Sequence, residues 1–318
     1  MALFARAKSG QCRANEAFST QTSRVNIACY AVYFLIFLSL FFVALTRFAA
    51  SENKRRSVIS WLLLTISLTF MLLAQLIGVI TTTLAECAVL TTNHATRAFV
   101  PVDWLVLLGK LALFALILLP ICRRLHYGAS TKNIDRWILI PHSIIVGVLG
   151  VLVLAAVAVQ TKIVDLVYRT GFMYAELKGL EKQERRLRTA VYVVEVLGMV
   201  VAGGRMGWAV VRARHLRGGE LGFFIPLLIV SALGLALTDL VGYVDGAFRK
   251  VTLAQTDEVV REQQAKMYVE YFFYAVAVLS AVVVVSSKRL GDNVGRSRRR
   301  SRGGGRVSMS TVRGKGDA

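Results

Sequence analysis

The sequence predicts an all-α integral membrane protein built as a bundle of seven transmembrane helices. Of its 318 residues, 55% are hydrophobic and 18% are charged, the mean hydropathy is +0.57, and the apolar residues fall in helix-length stretches. Soluble domains carry about 25% charged residues. A formal net charge of +20 on so apolar a chain must therefore be concentrated in loops and tails. These properties argue against a soluble enzyme, a disulfide scaffold and a disordered protein.

Seven stretches each supply the roughly 20 apolar residues that a transmembrane helix needs. They are longer than the roughly ten-residue alternating strands of a membrane barrel. The first is too long for the core of a signal peptide, so we interpret it as a retained span. The N-terminal tail covers 1–24, the transmembrane domain 25–286 and the C-terminal tail 287–318. The predicted spans are 25–46, 58–83, 101–121, 137–159, 189–211, 221–243 and 267–286.

The distribution of Lys and Arg predicts the orientation, because cytoplasmic loops are enriched in both. Segments on the side of the N-terminus carry a net charge of +6, and those on the opposite side carry +16. The three short loops of the second side are all basic, although the long loop between spans four and five is basic as well. We therefore predict an external N-terminus and a cytoplasmic C-terminus, in the plasma membrane or an endomembrane.

In topology this architecture resembles the G-protein-coupled receptors, which have seven helices and an external N-terminus. The motifs of the common receptor class are absent, since span three ends in Cys122-Arg123-Arg124 and span seven has no Asn-Pro-x-x-Tyr. Seven-helix retinal proteins need a lysine in the middle of span seven, and this span has none. The resemblance therefore implies a receptor-like topology and no particular ligand.

Six charged residues fall within the predicted spans, although each costs about 2.5–3.5 kcal/mol at the bilayer centre. Five lie in the outer half, and the deepest, Lys110, is about 13 Å below the start of span three at 1.5 Å per residue. We interpret them as a polar site that opens outwards, with the lysine at its floor. The alternative is one buried ion pair, with the shallow acids reaching the headgroups. The candidate ligand or ion site comprises Lys110, Glu195, Asp239, Glu270 and Asp103.

The sixth charge, Arg205, lies in the inner half of span five between two glycines. Gly203 and Gly207 form a G-x-x-x-G pattern, and small residues at that spacing let two helices approach closely. The pattern predicts helix packing within the bundle, with a dimer interface as the alternative.

Motifs for catalysis and for metal or phosphate binding are missing. The sequence has no H-E-x-x-H, no C-x-x-C and no phosphate-binding loop. We therefore predict a protein that is not an enzyme and needs no cofactor or metal. The leading hypothesis is a receptor or sensor that couples a small polar ligand or a cation to a cytoplasmic signalling partner. The alternatives are a small transporter or an ion or proton conductor, and a non-catalytic membrane scaffold.

The tails and loops supply further expectations. The C-terminal tail carries ten Lys and Arg residues among Gly and Ser, which predicts a disordered segment that binds anionic lipid headgroups. No aromatic residues alternate with its arginines, so we expect no nucleic-acid binding. Cys12 and Cys87 are both external in this topology and could form a disulfide. Helices are expected in the loop between spans four and five and from Thr256 onwards.

Overall fold

The structure is a computed structural model, and it describes residues 18, 21–50, 54–87, 90, 92–129, 135–167, 174–212, 220–248 and 256–287. Within those residues the chain is helical and forms no strand, which confirms the predicted fold class. The helices are α1 (Gln21–Ala49), α2 (Lys54–Glu86), α3 (Thr92–Leu116), α4 (Cys122–Ala129), α5 (Asp135–Val167), α6 (Tyr174–Arg212), α7 (Glu220–Phe248) and α8 (Thr256–Ser286).

Seven helices of the described chain are long and apolar enough to cross a membrane. Six of them lie in α1, α2, α5, α6, α7 and α8, and the remaining one, Thr96–His126, comprises most of α3 together with the start of α4. The third crossing is the most extensively buried inside the protein. The chain is therefore a multi-pass membrane protein with a central third span.

The helices form a ring in chain order. Each packs against its neighbour in sequence, and α1 packs against α8 to close the ring. We call the end where α1 begins the N-terminal face of the bundle and the end where α8 stops the C-terminal face. Alternate spans run in opposite directions, so the third, fifth and seventh spans also enter from the N-terminal face.

The third crossing changes its helical pitch in its last third, towards the C-terminal face. Residues Ile117–Ile121 form a π-helical turn between α3 and α4, and the N–H of Cys122 donates to the carbonyl of Ile117, five residues earlier. Pro120 lies in this turn and has no N–H to donate, which favours a local break in the regular pattern. Such π turns frequently occur at functional sites.

Several helices extend well beyond the apolar stretches. The predicted helix in the loop between spans four and five is confirmed, because α6 begins at Tyr174 and Glu184 Oε1 lies 2.8 Å from Arg188 Nε. The predicted helix start at Thr256 is also confirmed. These polar extensions project from the N-terminal face. Beyond the apolar part of the bundle a helix does not need apolar side chains.

The tails and the cysteines are described only in part. Residues 1–17, 19–20 and 288–318 lie outside the described residues, so the expectations for both tails stay predictions. Cys87 is disulfide-bonded, and its expected partner, Cys12, lies outside the described residues. Cys29 and Cys122 are buried free thiols within the bundle.

Candidate functional site

Lys110 is the centre of a buried charged cluster. Its Nζ donates to Asp239 Oδ1 at 2.9 Å and to Oδ2 at 2.8 Å, and it lies 2.6 Å from Glu270 Oε1. An ammonium group has three donors, and three carboxylate oxygens surround this one. The lysine is 4% exposed, so its charge is satisfied by residues of the protein itself.

The charged cluster contains more carboxylate than lysine. Glu195 on α6 is 3% exposed, and its Oε2 has no hydrogen-bond partner within the described part of the chain. It lies within electrostatic range of Asp239, Lys110 and Glu270. Glu270 keeps 23% of its side-chain surface accessible. With all four groups ionised, the cluster (Lys110, Glu195, Asp239 and Glu270) has a formal charge of −2.

The charged cluster lies between the middle of the bundle and its N-terminal face. At 1.5 Å per residue, Lys110 is about 21 Å from Thr96 and about 24 Å from His126, at the two ends of the crossing. Lys110 is further from the start of its helix than the sequence suggested, because α3 begins at Thr92 instead of 101. Asp239 is about 10 Å from the end of its span at Gly246.

Hydroxyl groups support the cluster from α2 and α8. The Oγ of Ser67 donates to the carbonyl of Gly109 at 2.7 Å and lies 2.5 Å from the hydroxyl of Tyr274. This contact ties the backbone next to Lys110 to α2 and α8. Tyr192 and Tyr271 are also buried, and Tyr192 packs against the ring of Tyr243 with centroids 5.2 Å apart.

Asp103 makes its contact elsewhere, although it shares a helical face with Lys110 by spacing. Gln160 Nε2 on α5 donates to Asp103 Oδ2 at 2.6 Å. One residue later, Trp104 Nε1 donates to Thr161 Oγ1 at 3.0 Å. These contacts join α3 to α5 near the N-terminal face. The structure therefore brings three of the five candidate residues into direct contact. Glu195 and Asp103 both lie within electrostatic range of Lys110 and Glu270, and Asp103 is hydrogen-bonded to α5.

An apolar layer separates the charged cluster from the C-terminal face. We define it by five side chains that lie about 6 to 16 Å further along their helices than the nearest cluster residue, at 1.5 Å per residue. Each is at most 1% exposed, and all belong to one contiguous core. The buried hydroxyls of Ser231 and Ser280 at this depth donate to carbonyls of their own helices. The layer comprises Phe114, Ile117, Met199, Leu228 and Val278.

The two glycines beside Arg205 have different surroundings. A Cβ at Gly203 would lie 2.9 Å from Ile229 Cγ2 on α7, so this position needs glycine for the close approach of the two helices. A Cβ at Gly207 would meet nothing within 4 Å. Close packing between α6 and α7 therefore depends on Gly203.

Ser67 and Tyr192 are the site residues that sequence reasoning missed. A serine or tyrosine in an apolar span is common, and spacing along one helix does not show which neighbouring helix it faces. Tyr274 gave a partial signal, because it lies one turn after Glu270 on the same face.

Fold and site together define a multi-pass membrane protein, a seven-helix bundle that holds a buried charged cluster with excess carboxylate. No family model matches the sequence, and no curated protein matches it either. In the described segments, no group of three or more His, Cys, Asp or Glu side chains is placed to hold a metal ion.

Proposed function

We propose that this protein is a seven-helix receptor or sensor for a small cationic ligand that reaches the charged cluster from the N-terminal face. The main support for this proposal is the excess of carboxylates over lysine in the charged cluster, together with the buried apolar layer between that cluster and the C-terminal face. All three donors of the ammonium group of Lys110 face carboxylate oxygens, so an anionic ligand would have to displace Asp239 or Glu270. A cation can instead bind to Oε2 of Glu195, which has no hydrogen-bond partner among the described residues.

A protonated amine is the cation that suits the site best. Carboxylates accept hydrogen bonds from an ammonium group, and the faces of aromatic rings attract its charge. Glu270 is followed in α8 by the buried tyrosines Tyr271 and Tyr274, and Tyr192 lies on α6 one turn before Glu195. Since no metal-holding group was found in the described residues, an organic cation is favoured over a chelated metal.

Signalling would follow from competition for the partners of Lys110. Among the described residues α3 packs closely on α2 and α5, and its ion pairs with α7 and α8 are made by the Lys110 side chain. A cation bound to Glu195 or Glu270 weakens that link and changes the balance between two arrangements of the helices. The π turn at Ile117–Ile121 lies on the same crossing, between the cluster and the C-terminal face, and offers a place for the helix to adjust.

The N-terminal face is the external one in this proposal. Cys87 ends the second span at that face and is disulfide-bonded, and disulfides persist in oxidising compartments outside the cytosol. The basic short loops of the opposite face agree with a cytoplasmic location. An epitope tag at the N-terminus is expected to bind antibody on intact cells, or inside sealed vesicles of the endomembrane. A tag that becomes accessible only from the cytosol would contradict this orientation.

A cation or proton conductor is the second candidate, because Glu195 is a buried carboxylate near the middle of a span, and one of its oxygens has no hydrogen-bond partner among the described residues. The apolar layer favours a receptor over a conductor, since conduction needs a polar path through the whole bundle.

The purified protein distinguishes these functions. We expect ethylammonium to raise its thermal unfolding midpoint in detergent, whereas the bulky cation N-methyl-D-glucamine at equal ionic strength does not, because only a bound ligand stabilises the native state. Proteoliposomes are expected to show no ethylammonium, sodium or proton flux. Stabilisation with flux would establish the conductor, and the absence of any selective stabilisation would contradict a cation site and favour a scaffold.

A further inference from the structure

A second polar cluster lies near the C-terminal face, between α4 and α6. The ring of His126 packs against the ring of Trp208 with centroids 6.0 Å apart and an interplanar angle of 32°. Arg212 Cζ lies over the ring of Trp208, 5.1 Å from the ring centroid. Arg205 is on the same face of α6, three residues before the tryptophan, and is within electrostatic range of His126 and Cys122.

This cluster contains buried polar atoms that have no hydrogen-bond partner among the described residues. Both ring nitrogens of His126 are buried and make no hydrogen bond within the described chain, and the histidine as a whole is 6% exposed. The Nη1 of Arg205 is also buried without a hydrogen-bond partner there. No carboxylate is paired with this guanidinium among the described residues. Arg205 as a whole is half-buried, but a guanidinium nitrogen that is buried without a hydrogen-bond partner is costly, so an anion that reached it would be stabilising.

This cluster is close enough to the C-terminal face for the long side chain of Arg205 to extend towards the headgroup region of a bilayer. Arg205 is seven residues before the end of α6 at Arg212, which is about 10 Å at 1.5 Å per residue. Trp208 is half exposed, as expected for an aromatic residue at a membrane interface. Val201 and Val211 on the same helix are largely exposed and continue this surface towards lipid.

We propose that Arg205 and His126 form a binding site for a phosphate group, with Arg205 donating to two phosphate oxygens and His126 donating to a third. The planar guanidinium matches phosphate in a two-bond geometry. Phosphate of this kind is carried by lipid headgroups of the adjoining leaflet and by free phosphate in solution. This site lies on the opposite side of the apolar layer from the charged cluster, so it does not depend on the proposed cation site. It is also distinct from the attraction of lipid to the basic C-terminal tail.

Native mass spectrometry of the full-length protein in detergent tests the site with phosphatidic acid as the probe. We expect wild-type protein to retain one tightly bound molecule, and Arg205→Gln to weaken that binding about tenfold or more, because hydrogen bonds to charged groups are the stronger ones. Arg205→Lys should recover only part of the affinity, since an ammonium does not reproduce the two-bond geometry. The tail is identical in every variant, so its contribution to lipid binding cancels.

Arg47→Gln is the matched control. Arg47 is exposed in the last turn of α1 at the same face and loses the same charge, so its binding should change less than twofold. His126→Gln provides a second variant in case Arg205→Gln does not fold. Inorganic phosphate that competes equally well identifies a free-phosphate site, and phosphate that fails to compete identifies a lipid site. Equal binding by wild type, Arg205→Gln and His126→Gln would overturn the proposal.

Discussion

Replacing Lys110 with methionine is expected to lower the free energy of unfolding by about 3–5 kcal/mol, the usual cost of removing one partner from a buried ion pair. The substitution keeps a long apolar stem but leaves Asp239 and Glu270 without their shared cation. Asp239 then remains buried without solvation, and Glu270 keeps only partial access to solvent. The loss should appear as a lower unfolding midpoint of the purified protein and as reduced expression.

Two further variants isolate the physical cause. Lys266→Met removes a lysine from the partly exposed pair with Asp245, whose N–O distance is 2.5 Å, and should cost at most about 1 kcal/mol because water screens it. The triple change Lys110→Met, Asp239→Asn and Glu270→Gln removes at once all three charges of the ion-paired group, which we call the triad. It should recover most of the lost stability. Wild-type stability in Lys110→Met alone would show that the triad contributes nothing to the fold.

Glu195→Gln is expected to remove the stabilisation of the protein by ethylammonium while leaving the fold intact. A ligand at one hundred times its dissociation constant stabilises a native state by about 2.7 kcal/mol, and this variant should lose most of that effect. The glutamine has nearly the same shape, and it carries no charge to desolvate. Without ligand it should therefore be at least as stable as the wild type.

Glu184→Gln provides the matched comparison, because it makes the same chemical change on the same helix. Glu184 pairs with Arg188 near the N-terminal face, outside the charged cluster. This variant should respond to ethylammonium as the wild type does. A full ethylammonium response in Glu195→Gln, measured by the same thermal titration, would show that Glu195 is not part of the site.

The seven crossings were predictable because each membrane-spanning segment must by itself be apolar enough to lie in the bilayer. A span needs about 20 apolar residues wherever it lies in the chain, so local composition is enough to find it. The helix ends were harder to predict. Residues 174–188, for example, are rich in charged side chains and are still helical. They extend α6 beyond its apolar stretch, and side-chain pairs such as Glu184 and Arg188 stabilise this extension.

The sequence by itself determined the class of this protein, a seven-helix membrane bundle, and singled out the charged residues whose burial would be costly. Only the tertiary structure decided which of them meet. Lys110 and Asp239 are 129 positions apart, and their contact depends on how each helix is rotated about its axis and which helices are neighbours. Side-chain packing between helices determines both the rotation and the neighbours of each helix, and neither can be inferred from hydropathy. For the same reason the spacing put Asp103 on the same face of its helix as Lys110, but only packing showed that its hydrogen-bond partner is Gln160 on α5.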